Sequence, residues 1–254
     1  MDVPLTMLKK ERHAFIIKQI NLHNKVLSSD LSIQLRVSED TVRRDLIELS
    51  DKGKIVKVHG GALCKSFHFP FQHLEVYGQS AKKIIAQKAL ALIKDGMNIL
   101  TGGGTTMLEL ARMIPDSTRA TFFTVSPLVA LELSEHPNLT VVQIGGRFSK
   151  NPQVVLGAEV ISFLADVKVD LCFLGTNGFC TEDGVTDSDW DVVQVKKAMV
   201  KAAGKLYILC ISEKLDSVKP MKVCNLNQVS GLITELDPRS AAMQPYTSKG
   251  LAVY

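Results

Sequence analysis

The sequence predicts an α/β chain in two parts: an N-terminal winged helix-turn-helix domain, then a larger domain on a mainly parallel sheet. Three observations carry this. Residues 37–62, VSEDTVRRDLIELSDKGKIVKVHGGA, hold a capped amphipathic helix followed by a basic ribbon. From residue 80 onward, helical and strand patterns alternate. The first strand of that alternation opens into the glycine-rich turn Thr101-Gly102-Gly103-Gly104-Thr105-Thr106.

In the first part, Leu8 to Asn24 carries apolar residues at Leu8, Phe15, Ile16, Ile20 and Leu22, with charges over the remainder, an amphipathic helix. A shorter helix follows, capped by Ser28 or Ser29, with Leu31 and Leu35 facing inward and Arg36-Val37 as the turn. Ser38 caps the next helix, Glu39 and Asp40 put negative charge in its first turn, and Gly53 supplies a left-handed stop. Val42, Leu46 and Leu49 make its apolar stripe, which leaves Thr41, Arg43 and Arg44 on the exposed N-terminal half. A helix entering the major groove presents base-reading and phosphate-binding side chains there. Lys54 to His59 alternates as a strand up to a Gly60-Gly61 turn, the wing. The candidate DNA contacts are Ser38, Thr41, Arg43 and Arg44 on the helix and Lys54, Lys57 and His59 on the wing. An ordinary amphipathic hairpin with solvated arginines would share the charges but not the order of cap, turn, arginine pair, stop and ribbon.

Charge distribution agrees. Residues 1–62 hold 11 Lys+Arg against 8 Asp+Glu, and residues 63–254 hold 19 against 18. The excess positive charge lies where a duplex would bind, so binding should weaken as salt rises. With 46% hydrophobic and 22% charged residues, the chain is a folded one and not a disordered one.

Five cysteines without a C-x-x-C pair argue against a disulfide framework and a zinc knuckle, and point to a reducing cytosol; Cys172 and Cys210 sit in strand-like apolar runs as core residues. No signal core or membrane span is expected, so the cytoplasm is the expected compartment. Residues 63–79 form a linker with Pro70, Gly78, Phe67, Phe69, Phe71 and Tyr77, a sticky connector expected to pack. His68 and His73 there lack carboxylate or cysteine partners at metal-ligand spacing, and no metal or other cofactor is assigned.

In residues 80–254, helices are expected at Ser80–Lys94, Thr105–Met113, Pro127–Glu135, Ala158–Leu164 and Asp189–Ala203. Strands are expected at Met97–Leu100, Thr121–Val125, Leu139–Ile144, Leu171–Leu174, Leu206–Ile211 and Gly231–Thr234. Such alternation implies a parallel sheet covered on both faces, with ligands at the carboxyl ends of its strands. The loop of Gly102, Gly103 and Gly104 lets backbone amides approach an anion. Thr105 and Thr106 add hydroxyls, and the following helix adds its N-terminal partial charge, so the loop suits a phosphate. A Walker lysine is missing, and a tight strand-to-helix turn capped by Thr105 is the bland alternative. Thr124, Ser126, Gly146 and Gly175, at other strand ends, are small and polar groups suited to hydroxyls and phosphate. Residues 236–254 fit either a tail or a subunit contact.

The chain resembles the DeoR-type transcriptional regulators through Glu11-Arg12, Val37-Ser38, Thr41-Val42-Arg43-Arg44-Asp45-Leu46, Leu49, Gly53 and His59-Gly60-Gly61-Ala62. The resemblance implies DNA contacts at Thr41, Arg43 and Arg44, with Asp45 bracing an arginine or the wing. It continues through Gly104-Thr105-Thr106, Gly145-Gly146, Asp170 to Gly178, Gly184-Val185-Thr186, Lys196 to Met199 and Ser212-Glu213-Lys214, similar to the family's sensor domain, which is related in fold to ribose-phosphate isomerases and binds phosphorylated sugars or related metabolites. Thr101, Val125 and Ile211 stand where that family has aspartate, asparagine and aspartate, so the ligand's identity does not carry over. Asp183 is implied as a hydroxyl contact, and Lys196 and Lys214 as phosphate partners; a solvated surface charge is the equal alternative for each.

Two functions follow as expectations. The preferred one is a homo-oligomeric, non-enzymatic regulator of carbohydrate genes, usually a repressor in this family, that binds double-stranded operator DNA and is modulated by a phosphorylated sugar at the glycine loop. Residues 1–62 would be its DNA-binding domain and residues 80–254 its effector-binding and oligomerisation domain. The alternative is a sugar-phosphate isomerase with an accessory DNA-binding domain. That chemistry needs a poised base, and Thr101 and Ile211 remove two acidic candidates.

Overall fold

The computed structural model describes residues 7–23, 25–64 and 77–254. The chain divides into two compact units, Met1–Tyr77 and Gly78–Tyr254. Of the connector expected over residues 63–79, residues 65–76, with His68, Pro70 and His73, lie outside the described residues, whereas Leu63 and Cys64 belong to a strand and Gln79 to a helix.

The first unit runs α1 (Lys9–His23), β1 (Lys25–Leu27), α2 (Ser28–Leu35), α3 (Glu39–Asp51), β2 (Ile55–Val58) and β3 (Gly61–Cys64). Its core joins Ile16 and Ile20 of α1, Leu31 and Leu35 of α2, Val42, Leu46 and Leu49 of α3, and Ile55, Ala62 and Cys64 of the wing. The heptad-like spacing in α3 therefore points at the core as expected. Each buried Val, Leu or Ile side chain among these contributes about 1.5–3 kcal/mol of transfer free energy. Arg36 adopts a left-handed conformation (φ 52°) at the end of α2, and Gly53 (φ 64°) follows α3.

Three local expectations need correction. Leu27 is the cap of α2 and makes no side-chain bond, so Ser28 is the first helical residue and neither serine caps it. His59 and Gly60 (φ 74°) make the wing turn, because Gly61 already belongs to β3. The expected domain limit at residue 62 falls inside β3. The unforeseen strand β1 explains Gly61: it pairs with β3, and a Cβ on Gly61 would lie 2.0 Å from the Val26 carbonyl oxygen. Three residues are too few for a periodicity to register in the sequence.

The second unit contains α4 (Gln79–Leu90), β4 (Asn98–Thr101), α5 (Thr105–Met113), β5 (Thr121–Thr124), α6 (Pro127–Ser134), β6 (Thr140–Gln143), β7 (Arg147–Ser149), β8 (Val154–Leu156), α7 (Ala158–Ala165), β9 (Val169–Gly175), β10 (Gly178–Cys180), β11 (Gly184–Asp187), α8 (Trp190–Ala202), β12 (Ala203–Leu209), β13 (Met221–Cys224), β14 (Gly231–Ile233) and α9 (Gln244–Thr247). Six strands form a parallel sheet in the order β14-β12-β9-β4-β5-β6. Leu100, Cys172, Leu174 and Ile208 pack in one cluster with Val160 and Leu164 of α7 and Val193 and Met199 of α8. Helices α4, α5 and α6 pack in sequence against one another.

Winding starts at β4, proceeds through β5 and β6, and restarts beside β4 at β9. The switch point therefore lies between β4 and β9, which is where such sheets form crevices. Two small antiparallel sheets, β10-β11-β13 and β7-β8, were not anticipated; their strands are three or four residues long. Residues 236–254 pack on this unit: Tyr246 is fully buried and stacked on Phe179, and Val253 bridges Leu232. None of the five cysteines is disulfide-bonded, and all are buried. Among the described residues no helix is long and apolar enough to cross a membrane, and no side-chain cluster could hold a metal ion.

Candidate functional site: a helix-wing face and a strand-end cluster

On the first unit, Ser38 caps α3 by accepting a hydrogen bond from the Thr41 amide at 3.2 Å, and the two hydroxyls lie 2.9 Å apart. Thr41 is half-buried, and its hydroxyl is thus partly committed to the cap. Arg43 is 65% exposed and 3.6 Å from Asp40; Arg44 is exposed with no ion pair among the described residues. Lys54, Lys57 and His59 are exposed along the wing.

Asp45, only 2% exposed, faces inward. It accepts from Arg12 Nε at 2.5 Å and Nη2 at 3.0 Å, with His13 Nε2 at 3.0 Å from Oδ1. Burial would push this carboxyl up, but the bonds and charges of Arg12 and His13 outweigh it and hold it below the usual range. Asp45 braces the arginine of α1, and the wing is not its partner. Lys9 adds a second α1–α3 ion pair, 2.5 Å from Glu48.

On the second unit, the glycine loop follows β4 and the Gly175-Thr176-Asn177 turn follows β9, on either side of the switch point. The Gly102 amide donates to the Phe173 carbonyl at 3.2 Å. A Cβ on Gly103 would sit 2.6 Å from Val154 Cγ1 and 3.3 Å from Ser126, so no side chain fits. Gly104 (φ 102°) precedes α5 without any side-chain cap bond, which leaves the first amides of that helix available as donors. Thr105 and Thr106, half-buried, open the helix. Gly175 is beside the loop: its Cβ position is 3.9 Å from the Gly103 carbonyl oxygen.

Lys196 of α8 donates to the Gly175 carbonyl and to Asp187 Oδ2, both at 2.7 Å. Asp187 Oδ1 accepts from Asn177 Nδ2 at 2.8 Å and the Ser188 amide at 2.7 Å. Burial alone would raise the Asp187 pKa, but Lys196, Asn177 and Ser188 overcome this and lower it. Lys214 donates to the Thr176 carbonyl at 3.2 Å and to Asn177 Oδ1 at 3.4 Å. Desolvation, with the like charges of Lys82 and Lys196, brings its pKa down to about 8.

Thr124, Ser126, Gly146 and Asp183 have the following surroundings. The Thr124 hydroxyl donates to the Thr101 carbonyl at 3.3 Å and accepts from the Ser126 amide at 3.1 Å, shaping the exit of β5. Ser126 is buried and donates to the Gln153 carbonyl at 3.3 Å. Gly146 (φ 150°) lets the backbone pass Val160, whose Cγ2 would be 2.6 Å from its Cβ. Asp183 sits between β10 and β11, with its amide on Cys180 Sγ and its carboxylate 3.9 Å from Lys222; none of its partners belongs to the strand-end cluster. Asp187, one residue beyond the Gly184-Val185-Thr186 turn, is the carboxylate that the cluster contains. Its spacing of nine residues from Lys196 was the available signal.

A model of the DeoR C-terminal sensor domain matches residues 78–236, and a model of the DeoR-like helix-turn-helix domain matches residues 12–66. The chain belongs to the DeoR family. Among its DeoR-family relatives, the HTH-type transcriptional regulator GolR of Listeria innocua is 29% identical over 97% of this chain and 98% of its own. The regulator GlpR of Haloferax volcanii is 30% identical with the same coverage. The transcriptional repressor GlcR of Bacillus subtilis is 28% identical over 92% of each chain. Ribose 5-phosphate isomerase A from Methanocaldococcus jannaschii overlays 54% of each chain at 18% identity and a TM-score of 0.40.

Proposed function

We propose that this DeoR-family chain is a ligand-responsive transcriptional regulator, acting as a homo-oligomer on operator DNA and controlling carbohydrate genes as a repressor. The carrying observation is the pairing of an exposed Arg43/Arg44 helix, braced from behind by Arg12 and Asp45, with a separate donor-rich cluster at strand ends. The first unit suits major-groove reading by α3, with Lys54, Lys57 and His59 on the phosphate backbone. The second suits a phosphorylated sugar, with the phosphate on the glycine loop and the α5 amides. Binding there would shift the population toward a geometry that no longer matches the operator. GlcR is named a repressor, which supports that sign; an L-fucose operon activator from Escherichia coli, 28% identical, carries the opposite name.

An isomerase would need a carboxylate or other base ready beside the substrate carbon. Asp187 has both oxygens engaged, which supports binding without turnover. The test is promoter-fragment binding by the whole chain, with and without a panel of pentose and hexose phosphates, beside an isomerase assay on the same panel. We expect sequence-preferring binding, altered by a phosphorylated sugar, and no isomerisation. Turnover, or equal binding to random duplex throughout, would overturn the reading.

A further inference from the structure

Charge at the strand-end cluster is one-sided. Lys196 and Lys214 both reach the Gly175–Asn177 turn, and Lys82 of α4, 8% exposed, is close enough to act on the charge of Lys214. The carboxylate whose charge acts on Lys214, Asp187, is already held by Lys196, Asn177 and Ser188. Lys214 gives its protons to neutral oxygens, and no carboxylate of the described residues comes within ion-pair distance of it. At the end of β4, Thr101 brings a buried hydroxyl with no hydrogen-bond partner, and no charge.

A phosphate can be held by the backbone amides of the glycine loop and the α5 terminus alone. That leaves the partly desolvated ammonium of Lys214 in want of an anion, since burying such a charge among neutral dipoles is costly. A neutral sugar hydroxyl offers only a dipole there, and an amino group would add a like charge.

We propose, resting on the effector site described above, that the ligand is anionic at both ends: a phosphorylated sugar acid, with its phosphate on the Gly102–Gly104 loop and its carboxylate on Lys214. The proposal excludes amino-sugar phosphates and ranks uncharged-headed sugar phosphates below the acid.

The test uses the whole chain and its single tryptophan, Trp190, which is 63% exposed at the start of α8, three residues after Asp187. Fluorescence titration, checked by calorimetry, compares a hexose 6-phosphate with the aldonic acid 6-phosphate obtained by oxidising its C1, plus a hexose bisphosphate and inorganic phosphate. The acid should bind at least about tenfold more tightly than the hexose phosphate, equivalent to one ion-pair-sized gain. Lys214→Gln should bring that ratio close to one, whereas Lys214→Arg should keep it. A bisphosphate that outranks the acid would reassign the second anion as a phosphate and overturn the carboxylate. Equal or tighter binding of the hexose phosphate would overturn this inference and leave the regulator reading standing. If no phosphorylated compound binds, the effector site itself is wrong. A preference retained in Lys214→Gln would remove Lys214 from the recognition.

Discussion

Arg12 on α1 and Asp45 on α3, 33 residues apart, form a two-point contact, Nε to Oδ2 at 2.5 Å and Nη2 to Oδ1 at 3.0 Å, that fixes α3 from its inner side. Both partners are largely shielded from water. Removing one leaves the other charged and poorly solvated, which in buried pairs costs roughly 3 kcal/mol or more. Asp45→Ala should therefore lower the unfolding free energy of the first unit by about that amount. Because the Asp45 pKa is depressed by folding, its contribution is complete above the unfolded carboxylate value and is lost as pH falls through the folded value. Denaturant melts at neutral and acidic pH should show a gap between wild type and Asp45→Asn that closes in acid. A gap that stays constant with pH would refute the ion-pair account.

Arg43→Ala and Arg44→Ala should each weaken operator binding by about 1–3 kcal/mol if the guanidinium groups read guanines, and should relax preference at the base concerned. Lys57→Ala on the wing should instead weaken all duplexes alike and reduce the salt slope by about one. Anisotropy titrations across a salt series separate the two effects. If the arginine variants keep wild-type affinity and preference, α3 is not the reading helix.

Effector affinity should fall as pH rises through 8. Lys214 titrates near there when the site is empty, and an anion that needs the ammonium form loses about tenfold between pH 7 and pH 9. A phosphate monoester is already mostly dianionic by pH 7, Asp187 stays ionised because its pKa is lowered, and the Cys210 thiol is pushed up to about 12. Calorimetry at the two pH values, repeated on Lys214→Arg, should find the decline in wild type and a nearly flat response in the variant. A decline of the same size in both would assign it to another group.

Tyr246 anchors the C-terminal segment: its ring stacks on Phe179 at 5.5 Å, and its hydroxyl donates to Asp216 Oδ1 at 2.8 Å and accepts from the Asp216 amide at 3.2 Å. Tyr246→Ala should destabilise the second unit by about 3–5 kcal/mol and Tyr246→Phe by about 1 kcal/mol. Thermal melts would check the pair. Indifference to both would mean that residues 236–254 contribute nothing to that core.

Elements with strong periodicity and their own punctuation were legible in the sequence. The α3 helix, with Ser38 before it and Gly53 after it, and the alternation from β4 to β14 follow from local signals. Strands β1, β7, β8, β10, β11 and β13 were not legible, because they lie outside the strand-helix alternation that marks equally short strands such as β4 and β14, and each depends on its pairing partner. The same division runs through the strand-end cluster. Its glycine loop is contiguous and could be read directly. Asp187 acquires its place only through Lys196 and Asn177, and Asp183, a plausible choice by spacing to the turn, points to Lys222 instead. Thr124 and Ser126 were correctly placed at a strand end, but sequence could not reveal that their polar atoms bond to neighbouring backbone.

The pairing of Lys25, Val26 and Leu27 with β3, made possible by the missing side chain at Gly61, joins the ribbon to the segment between the first two helices. The ribbon is consequently not a loose flap. The distance between α3 and the ribbon is set before any nucleic acid arrives, so, on the proposed mode of binding, little ordering entropy is lost on docking and discrimination among sites falls to side chains. A bulkier residue at that one position would trade this preset spacing for a hinge, and would blunt site choice without touching a single contact residue.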